Sequence, residues 1–153
     1  MVRDQTLGYA QHLATLRGEG RTLRRRIEAH ITMPTVVVIA DDDPLMRALL
    51  AATLSPEAYH LREAGTGDEA LAHAYAYHPI LIILDQRMPG LSGIEICRKI
   101  KGDRQLANTA ILILTGDPAD EREALAAGAD AYLSKPFSPS ELLSTVEQLF
   151  AGR

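Results

Sequence analysis

Five side chains in this 153-residue sequence could do chemistry together: Asp41, Asp42, Asp85, Thr115 and Lys135. Each comes at or just beyond the end of a short apolar run, TVVVIA for the first pair, ILIIL for Asp85, AILIL for Thr115 and DAYL for Lys135. Carboxylates crowded together repel one another and resist ionising. A hard divalent cation relieves this, and Mg²⁺ prefers oxygen ligands while keeping waters for a substrate. A carboxylate beside such an ion can attack phosphorus and form an aspartyl phosphate. The transferred group carries charge on three oxygens, which a metal, an ammonium and a hydroxyl or backbone donor can neutralise. Asp41, Asp42, Asp85, Thr115 and Lys135 supply that set. Taken singly each has a plainer role, and Asp43 before Pro44 reads as a helix cap.

The elements that must position them follow from periodicity. Apolar runs at Thr35–Ala40, Ala58–Glu63, Ile80–Leu84, Ala110–Leu114 and Asp130–Leu133 alternate with helical patterns. Four of the five lack strict polar alternation or are too short to show it, which suits strands buried on both faces of a parallel sheet. Asp43-Pro44 and Asp117-Pro118 pair a cap residue with a proline at the first helical position. Thr66…Glu69, Ser92…Glu95 and Ser138…Glu141 fit the capping box. Helices are therefore expected near 44–54, 67–78, 92–101, 118–127 and 138–151. Strand and helix alternate five times, so the predicted fold is α/β, a doubly wound five-stranded parallel sheet with right-handed crossovers. In such sheets ligands bind beyond the carboxyl ends of the strands. All five candidate residues fall at that one edge.

Bulk properties limit the alternatives. The length suits one domain, and two Phe with no Trp make the core aliphatic. A net charge of −4 gives no reason to expect nucleic acid. A single cysteine, Cys97, fits a reducing cytoplasm. No apolar run is long enough to span a membrane, and the N-terminus lacks a secretory signal. Residues 1–33 hold six Arg against Asp4, Glu19 and Glu28, a net of +3, so the remainder carries −7. That asymmetry sets a boundary near Met33-Pro34, with a basic extension before an acidic domain over 34–153.

IADDDPLMR, LIILDQRMPGLSG, ILILTGD and GADAYLSKPFS, in that order, resemble the receiver domains of two-component response regulators, over roughly residues 34–153. The resemblance implies a flavodoxin-like (βα)5 receiver fold and a switch rather than an enzyme acting on a separate substrate. It implies that Asp85 is the phosphoacceptor and Asp42 a direct Mg²⁺ ligand, with Asp41 acting mainly through water and the backbone carbonyl of Arg87 completing the protein ligands. Thr115 matches the switch hydroxyl, Lys135 the phosphate-binding lysine and Tyr132 the rotameric aromatic, and the Lys135-Pro136 bond is expected to be cis. The implied partners are a sensor histidine kinase or histidine phosphotransfer protein and a downstream protein target.

Two departures bear on function. Thr115 to Lys135 spans 20 positions, about two fewer than is common in the family, so the fourth helix or its entry loop should be short. Arg87 and Asp117 flank the site and are placed to pair across it, restricting a hydrolytic water.

Rival readings are weaker. Gly65-Thr-Gly67-Asp-Glu-Ala70 matches a dinucleotide fingerprint, but it follows the second strand and leaves the carboxylates unexplained. A haloacid-dehalogenase-like phosphatase needs an acid two residues after the nucleophile, and that position is Arg87. A receiver fold kept only as a scaffold should have lost its site residues. None of the five histidines shows paired metal spacing. Within the extension, Tyr9, Leu13, Leu16, Leu23 and Ile27 recur at helical steps, with Gly18 and Gly20 as a break. Helices are expected over 5–17 and 21–31, as a homodimerisation or docking element or as a loosely ordered extension. The whole reads as a single-domain regulator or a receiver cut from a larger protein.

Overall fold

The computed structural model describes residues 35–54 and 59–151. The two helices expected over 5–17 and 21–31 lie outside the described residues. Ten elements alternate: β1 Val36–Ala40, α1 Pro44–Leu54, β2 His60–Ala64, α2 Gly67–Tyr77, β3 Leu81–Asp85, α3 Gly93–Lys101, β4 Ala110–Thr115, α4 Asp120–Ala126, β5 Ala131–Ser134 and α5 Pro139–Phe150. The strands pair in parallel in the order β2-β1-β3-β4-β5. This is the doubly wound sheet that the alternation predicts.

Successive residues of a strand face opposite sides of a sheet, so a strand buried on both faces needs apolar residues throughout. β1, β3 and β4 meet that demand, and every one of their residues is buried. Val38, Ala40, Ile82, Leu84, Ile111 and Ile113 pack with Ala70 and Ala74 of α2, Ile94, Cys97 and Ile100 of α3 and Ala124 of α4. The alternate residues Val37, Ile39, Leu81, Ile83, Leu112 and Leu114 pack with Leu50 and Leu54 of α1 and Leu142 and Val146 of α5. Each fully buried aliphatic side chain contributes about 1.5–3 kcal/mol of transfer free energy.

β2 differs from the sequence expectation. It starts two residues later than the apolar run suggested and only Ala64 is buried, because it is an edge strand. Of the three expected capping boxes, Ser92–Glu95 is complete. Thr66 and Ser138 each accept the N3 backbone N–H, at 3.2 and 3.1 Å. Glu69 instead takes the Gly65 N–H, and Glu141 approaches the Ser138 hydroxyl. Asp43 caps α1 through the Leu45 N–H. Asp117-Pro118 opens a turn rather than a helix: α4 starts at Asp120, has no side-chain cap and spans seven residues. The short fourth helix is thus as the spacing predicted. His78, expected inside the second helix, ends it in the left-handed conformation. The Lys135-Pro136 bond is cis.

Candidate functional site

Register brings the polar residues together. Ala40 lies beside Leu84, Asp85 beside Leu114 and Thr115 beside Ser134. The next residues along β1 and β5 are Asp41 and, after Ser134, Lys135. Four strand ends, separated in sequence by up to 94 positions, therefore deliver Asp41, Asp85, Thr115 and Lys135 to one edge. The Lys135 ammonium lies 3.1 Å from Asp85 Oδ1 and 3.3 Å from Asp41 Oδ2. Asp41, Asp85 and Thr115 are buried, whereas Asp42 is exposed.

Surrounding backbone fixes these groups. Asp41 Oδ1 accepts the Asp43 N–H at 2.9 Å, and the Asp41 carbonyl accepts from the Arg47 guanidinium at 2.8 Å. Gln86 holds the start of α3, its side-chain oxygen on the Ile94 N–H and its carbonyl on the Gly93 N–H. A Cβ at Gly93 would stand 2.8 Å from the Asp85 carbonyl oxygen, so glycine lets α3 approach the end of β3. Gly67, part of the apparent dinucleotide fingerprint, has a packing role instead. A Cβ there would collide with the Leu91 carbonyl, in the loop that follows Asp85.

Burial pushes the Asp85 carboxyl above the ordinary carboxylate range, and the Asp41 charge adds to this. Hydrogen bonds from Lys135 and the Arg87 N–H work the other way. For Lys135, burial disfavours the ammonium, but the Asp85 hydrogen bond and the charges of Asp85 and Asp41 outweigh it and the net direction is upward. Both shifts are upward, which disfavours the Asp85 carboxylate and favours the Lys135 ammonium, because two carboxylates share one cation.

One oxygen from each of Asp41, Asp42 and Asp85 can lie within 4.8 Å of the others. Three hard anionic donors on a partly open edge match Mg²⁺, which takes few protein carboxylates and retains water. The predicted Arg87–Asp117 pair is present at 3.6 Å and largely solvent-exposed. Tyr132 is half-buried, and its hydroxyl donates to the Asp117 carbonyl at 3.2 Å. Sequence reasoning missed Asp120, whose Oδ2 accepts the Thr115 hydroxyl at 2.7 Å. It also missed the Arg47 clamp on Asp41. Both partners sit on helices and meet the strand ends only through the fold. Cys97 lies in the core, where burial pushes its thiol up to about 11, so it offers no nucleophile at neutral pH. Among the described residues no helix is long and apolar enough to cross a membrane.

Comparison with known proteins agrees with this geometry. The model of the response regulator receiver domain matches residues 37–147. The transcriptional regulatory protein ResD of Bacillus subtilis is 41% identical over 120 residues, 77% of this chain and 49% of that protein. The DNA-binding response regulator MtrA of Mycolicibacterium smegmatis is 35% identical over 117 residues, covering 75% and 50%. The chain thus spans about half the length of the curated relatives it matches. Among solved structures, the chemotaxis response regulator CheY4 of Vibrio cholerae superposes with a TM-score of 0.71 at 34% identity, over 76% of this chain and 99% of that one. The receiver domain of the sensor histidine kinase PA1611 of Pseudomonas aeruginosa, with a magnesium ion coordinated in its active-site cleft, gives a TM-score of 0.69 at 25% identity, over 76% and 97%. The chain belongs to the response regulator receiver domains of two-component systems.

Proposed function

We propose that this receiver takes a phosphoryl group from the phosphohistidine of a sensor kinase or histidine phosphotransfer protein onto Asp85. The observation that carries the reading is the Lys135 ammonium, 3.1 Å from Asp85 Oδ1 within a cluster of three carboxylates. An Asp85 oxygen forms the new O–P bond as the donor's N–P bond breaks, with the attacking oxygen and the leaving nitrogen roughly in line with phosphorus. Mg²⁺ would be held directly by Asp42 and Asp85, by the Arg87 carbonyl, and by Asp41 mainly through water. When bound it offsets charge on the carboxylates and on the phosphoryl oxygens. Lys135 stands ready for a second phosphoryl oxygen and the Thr115 hydroxyl for a third.

Output follows from a change in which surface is presented. Thr115 drawn toward the phosphoryl group leaves the loop that carries Asp117, and Tyr132 is bonded to that same loop. A partner that prefers one arrangement is then controlled by phosphorylation through linkage. ResD and MtrA are named as transcriptional and DNA-binding regulators, and this chain spans half of each. We extend to it the control of such an output only through a segment beyond the receiver. The receiver itself carries a net charge of −7 over residues 34–153, which gives no electrostatic reason to expect DNA on it. This narrows the expectation of no nucleic-acid partner to the receiver.

The test is phosphorylation by acetyl phosphate or a phosphorylated histidine protein with Mg²⁺, read by intact mass. Wild type should gain the mass of one phosphoryl group and Asp85→Asn should not. Labelling of the variant at the wild-type rate would remove Asp85 from the acceptor role.

A further inference from the structure

We infer that Asp120 is the resting partner of the Thr115 hydroxyl and sets the threshold at which phosphorylation throws the switch; this rests on Asp85 being the acceptor. Thr115 is 1% exposed, at the end of β4. A hydroxyl has one proton to give. Here that proton goes to Asp120 Oδ2 at 2.7 Å, while the Asp117 N–H donates back to the Thr115 oxygen at 3.1 Å. The hydroxyl therefore cannot donate to a phosphoryl oxygen without first leaving Asp120. A hydrogen bond to a carboxylate is among the stronger ones a side chain makes.

Position explains why the bond can report. Asp120 is the first residue of α4, and its own N–H donates to the Asp117 carbonyl at 3.0 Å. The same carbonyl accepts the Tyr132 hydroxyl at 3.2 Å. One short turn thus ties Thr115, the start of α4 and Tyr132 together. Moving the Thr115 proton from one anion to another releases Asp120 beside a newly arrived negative charge, so attraction is replaced by repulsion at the head of α4. Asp120 is a positioning residue: it acts through Thr115 and touches no reacting atom.

The experiment is a double-mutant cycle on beryllofluoride affinity, measured by calorimetry with saturating Mg²⁺ in wild type, Asp120→Ala, Thr115→Val and the double variant. Asp120→Ala should tighten binding on the order of tenfold, the scale of one charge-assisted hydrogen bond. That gain should vanish in the Thr115→Val background. Removal of a nearby charge alone acts equally in both backgrounds, so an equal gain in both would overturn the inference, as would no gain in either. Asp120→Asn keeps an acceptor oxygen without the charge and should fall between wild type and Asp120→Ala; it also carries the cycle if Asp120→Ala does not fold. Failure of wild type to bind beryllofluoride, or binding retained in Asp85→Asn, would sink the acceptor assignment itself. Normal Asp85-dependent binding with no coupling to Asp120 would sink this inference alone.

Discussion

Asp85 carries its charge at a disadvantage in the folded state, and that has measurable consequences at the scale of single residues. Its folded carboxyl is raised above the unfolded value, about 3.9. The folded state then binds more protons than the unfolded state between those two values. Without divalent cation, the Asp85 contribution should therefore make stability fall as pH rises through the window starting near that unfolded value. Asp85→Asn should raise the urea midpoint at neutral pH, and the gap to wild type should narrow as pH drops toward 4; a variant less stable than wild type at pH 7 would contradict this. The second residue-scale prediction concerns the metal. Asp42 is the exposed member of the acidic trio. Asp42→Ala should weaken Mg²⁺ binding at least tenfold, about 1.4 kcal/mol, by titration calorimetry, and unchanged affinity would place the ion elsewhere.

At the scale of elements, close approach between α2 and the β3–α3 loop is set by a missing side chain. The Gly67 N–H donates to the Pro89 carbonyl at 3.1 Å, and a Cβ on Gly67 would strike the Leu91 carbonyl. Gly67→Ala should destabilise by roughly 1–3 kcal/mol, the cost of overpacking, and should slow phosphorylation because the displaced loop begins at Asp85. Chemical denaturation and the acetyl phosphate rate check both; a wild-type rate in a destabilised protein would separate the loop from the site. The same glycine shows what was legible in the sequence. Local signals were: Asp43, Thr66, Ser92 and Ser138 each cap the expected helix, because a cap needs only the next three residues. Non-local partners were not, and of the three expected reciprocal caps only Glu95 returns to the backbone of its cap residue, Ser92. Glu69 has several donors within reach and chooses Gly65, and Gly67 owes its place to a loop more than twenty residues away. The site edge was legible because strand ends can be counted along the chain. Asp120 was hidden because the expected helix began two residues earlier, at Pro118, while the actual start follows a turn closed by Asp117.

At the scale of the whole molecule, the central strands feed both faces of the sheet, so neither layer of helices has a core of its own. Ile83→Ala on one face and Ile82→Ala on the other should each cost about 2–5 kcal/mol. Both should shift a single cooperative transition. Loss of Mg²⁺ binding with urea should coincide with loss of helical circular dichroism in wild type and in both variants. A metal-binding midpoint well below the helical one would show an edge that melts before the sheet.

The reach of 94 residues from Asp41 to Lys135 also has a meaning in time. A ribosome makes the acidic pair early and Asp85 later, yet the lysine joins them only when the last strand has been threaded and docked beside β4. Until then the emerging polypeptide has carboxylates without their shared cation. On the proposed function, the site that receives the phosphoryl group is complete only once translation of this domain has run past residue 135.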